Sequence, residues 1–375
     1  MAEALKASFG EEKIAFVADV LGAVYPLDRA EFFRWSLDGF DDAELIARSQ
    51  LIADAMAATL PADRAQALQI VIDALARDPW PPDEPLVGVE VFRYNPLAQF
   101  IGAYGLDDFE LAMQAQHELT QRFTAEFSIR PFIERHPDAT LARLREWTAD
   151  PSEHVRRLVS EGTRPRLPWA PRLRMFMSDP TPVVELLDLL RDDPSEYVRR
   201  SVANNINDIA KDHPDVAIDV ARRWWPDTGR PDDDARRRQL VRHGLRTLVK
   251  AGDRDALDVL GYGAGSPLRL AAPTVEPERV TIGESVRCSV ELHNDETEHQ
   301  AVLVDFRVWF VKANGSSSPK VFKGTEADVA PGASITVSKK VSLKQHSTRT
   351  HHPGEHVVEV LVNGEAHPVG TFVLR

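Results

Sequence analysis

The sequence predicts an all-α, HEAT-like repeat solenoid followed by a C-terminal immunoglobulin-like β-sandwich. Three observations predict it: apolar steps of three and four residues up to about residue 260, an internal repeat near 40 residues within that stretch, and period-two alternation from about residue 270. The expected boundaries are a helical domain over 1–262, a linker over 263–268 in the Gly-rich stretch GYGAGSP, and a sandwich over 269–375.

In the helical part, Phe109, Ala112 and Met113, then Leu119, Phe123 and Phe127, draw one stripe interrupted at Gln116. Further on, Asp150-Pro-Ser-Glu-His-Val-Arg-Arg157 recurs 43 residues later as Asp193-Pro-Ser-Glu-Tyr-Val-Arg-Arg200, with Val159 matching Val202. A weaker third copy, offset by 39, pairs Val202, Ile206, Ile209 and Lys211 with Val241, Leu245, Leu248 and Lys250. His136-Pro-Asp138 and Trp147 are echoed by His213-Pro-Asp215 and Trp224. Such offsets suit helix pairs stacked into a solenoid with a concave face. Ser152 and Ser195 are the expected helix caps, and Glu153 and Glu196 favour the positive helix end. Val155, Leu158 and Val159, or Val198, Val202 and Ile206, then fill the inward stripe.

The strands follow as Val280 and Ile282, then Val286, Cys288, Val290 and Leu292, then Val302, Val304, Phe306, Val308 and Phe310. Asn363-Gly364, between VVEVLV and HPVGTFVL, is a hairpin signal, and Asn314-Gly315 marks another turn. Strands of this kind without paired cysteines suggest a sandwich similar to immunoglobulin or fibronectin type III domains.

Composition narrows the class. With 375 residues, 43% hydrophobic and 27% charged, the chain has the balance of a soluble protein with one large core or two. Cys288 is the only cysteine, so an internal disulfide and a multi-cysteine zinc site are excluded, as suits a reducing compartment. No run approaches the roughly 20 apolar residues of a membrane span, and the opening MAEALKASFG lacks a leader's basic region and apolar core. The expectation is a cytoplasmic protein without a membrane partner.

The net charge of −13 argues against a polyanionic partner only if it is evenly spread. It is not: residues 1–140 carry −13, residues 141–250 carry +3 and residues 251–375 carry −3. The basic middle relies on arginine, whose planar fork suits phosphate. Arg156/Arg157 and Arg199/Arg200 fall at one level of successive repeats with Arg238 at the third, so stacking would turn them into a ladder for phosphate; otherwise they are solvated helix surface. Arg164, Arg166 and Arg242 extend the set.

Repeated residues mostly explain the fold, so functional candidates lie where the copies differ. Glu161 aligns with Asn204 and Asp208 with Pro165, so each carboxylate is specific to its unit. Asn204, Asn205, Asn207 and Asp208 crowd short polar groups into one helix, which is poor for helix propensity. Thr163-Arg-Pro-Arg-Leu-Pro-Trp-Ala-Pro-Arg172 is a proline-stiffened loop that carries Trp169 among arginines, either as an interhelical staple or as a platform for a base or sugar. Glu126 borders the apolar stripe beside Phe127, where its plainer role is to pair with an arginine. Carboxylates inside an arginine-lined groove repel phosphate, and make sense if positive charge develops there during chemistry.

The segments LTQRFTAEFSIRPFIERHPDATL, HVRRLVSEGTRPRLPWAPRL and YVRRSVANNINDIAKDHPD resemble the AlkC branch of the AlkC/AlkD DNA alkylation repair glycosylases, a HEAT-like repeat family. LKASFGEEKIAFVADVL and the β-domain resemble that branch too, so the likeness covers essentially the whole chain. It implies a monofunctional glycosylase that hydrolyses the N-glycosidic bond of alkylated purines, chiefly N3-methyladenine, in double-stranded DNA. It also implies a bent-DNA substrate without a deep base-flipping pocket; beside it, the expectations are no cofactor, no metal, since the three histidines of the 344–354 loop lack a supporting carboxylate or cysteine pattern, and a monomer found at the nucleoid when bound to DNA. By motif, Glu126, Glu161 and Asp208 match active-site acidic positions and Trp169 the active-site tryptophan.

An N3-alkylated adenine is already cationic and leaves readily, so the costly feature is the oxocarbenium character of the deoxyribose. Fixed carboxylates stabilise that charge, and one can orient or deprotonate water; Glu161 and Asp208 take these roles, with Glu126 in support. The face of Trp169 would favour a cationic nucleoside. In the β-domain, Lys344-Gln-His-Ser-Thr-Arg-Thr-His-His-Pro-Gly354 is either a solvated loop or, as the likeness implies, a DNA-embracing one carrying Lys344 and Arg349. The competing reading is a non-catalytic HEAT-repeat scaffold that binds DNA or protein.

Overall fold

The computed structural model describes residues 9–78, 88–226, 230–263, 268–345 and 350–375. Its helices are α1 (Glu11–Gly22), α2 (Arg29–Leu37), α3 (Leu45–Thr59), α4 (Arg64–Arg77), α5 (Asn95–Tyr104), α6 (Phe109–Thr120), α7 (Ile129–Arg135), α8 (Pro137–Trp147), α9 (Glu153–Gly162), α10 (Arg174–Ser178), α11 (Thr181–Leu190), α12 (Glu196–Ile209), α13 (Pro214–Trp224), α14 (Pro231–Gly244), α15 (Arg246–Ala251) and α16 (Arg254–Val259), with a 3-10 segment over Gly88–Tyr94 before α5. The strands are β1 (Leu268–Glu276), β2 (Arg279–Val280), β3 (Ser285–Asn294), β4 (Gln300–Val311), β5 (Ser317–Val329), β6 (Ser334–Ser342), β7 (Gly354–Val362) and β8 (Glu365–Leu374). The solenoid-plus-sandwich expectation holds. Among the described residues no helix is long and apolar enough to cross a membrane.

The repeat is α9 matched by α12. Val155, Leu158 and Val159, and Val198, Val202 and Ile206, are buried as the spacing demands. The caps differ from expectation: neither Ser152 nor Ser195 caps through its side chain. Instead Asp150 and Asp193 accept from the Ser152 and Ser195 amides at 2.8 and 2.9 Å, so the aspartate of Asp-Pro-Ser-Glu shapes the turn. The His-Pro echo has a tertiary cause. His136 and His213, each before a proline at a helix start, reach the carbonyls of Leu106 and Met177 at 2.9 and 2.8 Å.

Two stretches depart from the periodicity. The stripe through Phe109 and Met113 ends with α6 at Thr120, so Phe123, Glu126 and Phe127 stand in a turn rather than on a helix. The third copy is interrupted, because α14 stops at Gly244 and α15 begins at Arg246.

Contacts divide the chain into two compact units, one of residues 1–213 with 226–243 and the other of residues 214–225 with 244–375. The division precedes the composition shift at 263–268, because α13 packs on α16 and Gly252, the residue that caps α15, meets Gly364 of the sandwich. At that meeting a Cβ on Gly252 would lie 2.9 Å from the Gly364 carbonyl oxygen, and one on Gly364 would lie 2.6 Å from a Leu257 methyl. Only glycine allows so close an approach.

The sandwich has a three-stranded sheet, β1-β3-β6, and a five-stranded sheet, β2-β8-β7-β4-β5. Val286, Cys288, Val290 and Leu292 face Val304, Phe306, Val308 and Val360 in one core. Asn363 and Gly364 take φ of 47° and 80° and close the β7–β8 hairpin.

Candidate active site

The cleft is built where the two repeat copies stop matching. From α9 come Arg157 and Glu161, and from α12 Tyr197, which stands where the earlier copy has His154. The turn at 121–128 brings Phe123, Thr124, Glu126 and Phe127, the 3-10 segment brings Phe92, and the loop after α9 brings Leu167, Pro168 and Trp169. Together they line a cavity of about 380 Å³. Its walls are unlike: carboxylates and guanidinium groups on one side, and on the other an apolar wall in which Phe92 meets Phe123 edge to face at 5.6 Å.

The charged wall is an alternating chain. Glu126 Oε2 lies 2.7 Å from Arg157 Nη1 and accepts from Thr124 Oγ1 at 3.0 Å. Arg157 Nη2 reaches toward Glu161 Oε1 at 3.6 Å, and its guanidinium carbon sits 5.1 Å from the Tyr197 ring centroid. Glu161 accepts from Arg164 Nη1 and from Ser201 Oγ, both at 2.6 Å. Asp208 accepts from Arg164 Nε and from Lys211 Nζ, both at 2.8 Å. Three carboxylates thus alternate with two arginines, and the chain ends toward the cleft on Glu126.

This order corrects one expectation. Glu126, Glu161 and Trp169 line the cleft, but Asp208 does not; only 1% exposed, it stands behind Arg164. Burial works against the positive charges of Arg157 and Arg164, yet the neighbouring carboxylates outweigh it and hold both guanidinium groups above their ordinary pKa. Burial likewise raises the Tyr197 phenol.

Trp169 is 73% exposed and has a φ of 66°, a left-handed conformation that costs a bulky residue on the order of 1–3 kcal/mol. It is a presented side chain, not an interhelical staple. What over-determines its loop is Arg130, buried on α7 and missed in the sequence. Arg130 donates to the Gly162 and Arg164 carbonyls at 3.1 and 2.9 Å and, through Nε, to the Pro171 carbonyl at 3.1 Å. Burial pushes its pKa down to about 10, still charged at neutrality. Tyr197, Thr124 and Ser201 were missed too; Tyr197 and Ser201 carried a signal, as further mismatches with His154 and Leu158 of the earlier copy.

The expected arginine ladder separates into different roles. Arg156 donates to the Asp150 and Pro151 carbonyls at 2.8 and 3.0 Å and pairs with Asp193, while Arg199 makes the matching bonds to the Asp193 and Pro194 carbonyls. Arg166 grips Asp212 through both ends of its fork. Arg156 and Arg166 thus tie successive repeats together, and Arg199 closes the turn before its own helix. Arg157 and Arg164 turn into the cleft. Arg200, Arg238 and Arg242 are exposed, and Arg200 shares a second groove with Arg236 and His243. In the β-domain Lys344 is exposed, Arg349 lies outside the described residues, and His351 is buried against Phe310 at 5.2 Å. Among the described residues no group of three His, Cys, Asp or Glu side chains could hold a metal ion.

Helical repeats carrying this cleft, together with an immunoglobulin-like β-domain, define a two-part repeat protein, and comparison with known proteins agrees. Residues 269–375 match the family described as "Uncharacterised protein YhaZ, C-terminal Ig-like domain". The chain is 35% identical over 363 residues to the uncharacterized protein YhaZ of Bacillus subtilis (strain 168), covering 96% of each. It is also similar to the Pseudomonas fluorescens alkylpurine DNA glycosylase AlkC, solved bound to DNA containing an abasic site analog, with a TM-score of 0.88, 34% identity and 99% of both chains covered. The chain belongs to the AlkC family.

Proposed function

We propose that the protein is a monofunctional DNA glycosylase that hydrolyses the N-glycosidic bond of cationic alkylated purines, chiefly N3-methyladenine, in double-stranded DNA. The observation that carries this reading is the convergence of Glu126, Glu161 and Trp169, from a turn, a helix and a loop, on one cleft in a chain so similar to AlkC. The cleft-lining residues offer carboxylates to the sugar and no amine among the described residues, which favours water as nucleophile.

The chemistry follows from charge. Breaking the bond leaves positive charge on the deoxyribose, and Glu161, held on its other side by Arg164 and Ser201, presents a fixed negative charge to it. Glu126 adds a second carboxylate and can orient the attacking water. Asp208 acts through Arg164, as a positioning residue. The exposed face of Trp169 favours a cationic nucleoside over a neutral one, worth roughly 0.5–2 kcal/mol. The exposed arginines Arg200, Arg238 and Arg242, with Lys344, serve the phosphates.

The test is to incubate the purified protein with methylated duplex DNA and chromatograph the freed bases. Release of N3-methyladenine with abasic sites in the DNA supports the reading, and its absence sinks it. The scaffold alternative predicts DNA binding without release.

A further inference from the structure

The proposed chemistry leaves Arg157 unexplained, since it fills the place where the substrate's charge belongs. Its guanidinium sits between Glu126 at 2.7 Å and Glu161 at 3.6 Å, over the ring of Tyr197. Two carboxylates and an aromatic face are what a planar, delocalised cation of the substrate would seek.

Comparison of the repeat copies separates fold from function here. Arg156 and Arg199 make the same carbonyl bonds in both copies, so that position is structural. Arg157 and its mate Arg200 do not behave alike. Arg200 is exposed, in a copy that has Asn204 where Glu161 stands; Arg157 turns inward, in the copy that has the carboxylate. Its inward pose is therefore set by charge, not by the helix.

The two carboxylates also depend on Arg157 unequally. Glu161 keeps Arg164 and Ser201 without it. Among the described residues the Glu126 carboxylate touches Arg157 and Thr124, so Arg157 is the cation in direct contact with it, with Arg130 acting only at longer range.

We infer that Arg157 is a resident cation: in the free protein it occupies the Glu126–Glu161–Tyr197 cage, and a cationic substrate takes the cage by displacing it, while the freed guanidinium turns to DNA phosphate. The inference rests on the proposed glycosylase reading for the identity of that substrate, but the cage itself is testable without it. Tyr197 becomes a specificity-determining residue, contributing a ring face to a cation. Glu126 becomes the carboxylate released for chemistry only when DNA draws Arg157 away.

The experiment empties the cage and refills it with a probe. Melting temperatures of the full chain and of its Arg157→Ala variant are measured in 20 mM methylguanidinium chloride and in sodium chloride of equal ionic strength, with Arg157→Gln as a second variant should alanine fail to fold. The inference expects methylguanidinium to raise the melting temperature of the emptied variant by at least about 1 °C over sodium, with no such rise in the wild type or in Arg157→Ala/Glu126→Gln. In the second arm methylguanidinium inhibits base release by the emptied variant several-fold more than by the wild type. Equal effects of the two salts on the emptied variant overturn the inference. If the wild type releases no alkylated base, the glycosylase reading fails while the melting arm still decides the cage.

Discussion

Asp208 holds Arg164 from behind: its Oδ2 accepts from Arg164 Nε at 2.8 Å, while the other side of the same guanidinium grips Glu161. A carboxylate that the sequence places beside the substrate thus lies buried behind an arginine. Replacing Asp208 with alanine leaves a largely buried guanidinium short of a partner, which typically costs about 3 kcal/mol. Urea unfolding should show that loss. Single-turnover excision should slow while the affinity for DNA stays within about twofold, since the exposed arginines are untouched. An Asp208→Ala protein as stable as the wild type would contradict this arrangement.

Trp169 should separate stability from activity. Most of its surface is exposed, so Trp169→Ala should change unfolding free energy by no more than about 0.5 kcal/mol. Excision of a cationic lesion should nonetheless fall roughly tenfold, the scale of a lost cation–π contact. Because φ at this position is 66°, Trp169→Gly should be more stable than Trp169→Ala by about 1 kcal/mol. Paired urea titrations of the two variants would read that difference.

At the meeting of α15 and the β7–β8 hairpin, Gly364→Ala should destabilise by about 2 kcal/mol or more. Its new methyl group meets a Leu257 methyl and the backbone of Gly252, at a φ of 80° that only glycine adopts freely. Gly332→Ala, also at positive φ but with open space around it, should cost less. Thermal unfolding of the two variants compares them, and an equal loss would mean that strain rather than the close approach sets the cost.

His356 gives the sandwich a pH dependence of definite sign. It is buried, stacked on Phe372 at 4.9 Å, and burial lowers its pKa below the ordinary 6.5. The unfolded chain therefore binds the proton more readily than the folded one. The stability contributed by neutral His356 is fully present above about pH 6.5 and is lost as pH falls through the lower folded value. His356→Phe should flatten that part of the curve in chemical denaturation at pH 7.5 and pH 5.

How much of this was legible follows from how local each cause is. The inward stripe of α9 and α12 and the Asn363-Gly364 hairpin depend on spacing and turn chemistry, and both could be read directly. The start at Asp-Pro-Ser-Glu is legible but its credit to serine is not upheld: the aspartate two residues earlier takes the serine's own amide, and neither serine side chain reaches a first-turn amide. Glu161 stands out as a mismatch between repeat copies, Trp169 as a tryptophan in a proline-stiffened loop among arginines, and Glu126 as a carboxylate bordering an apolar stripe. Asp208 stood out equally, but sequence does not show which side of Arg164 a carboxylate occupies. Arg130 gave no signal at all. It is a lone arginine among Ile129, Phe132 and Ile133, and its role depends on loop carbonyls more than thirty residues away.

The central claim is that carboxylate charge at the cleft drives bond cleavage. The measurement that tests it most directly compares wild type and Glu161→Gln on one methylated duplex, scoring released N3-methyladenine under single turnover alongside binding to a duplex with an abasic-site analogue. The account predicts release by the wild type, about a hundredfold slower release by Glu161→Gln, and binding within a few fold of wild type. Equal release by the two proteins, or none by either, would contradict it.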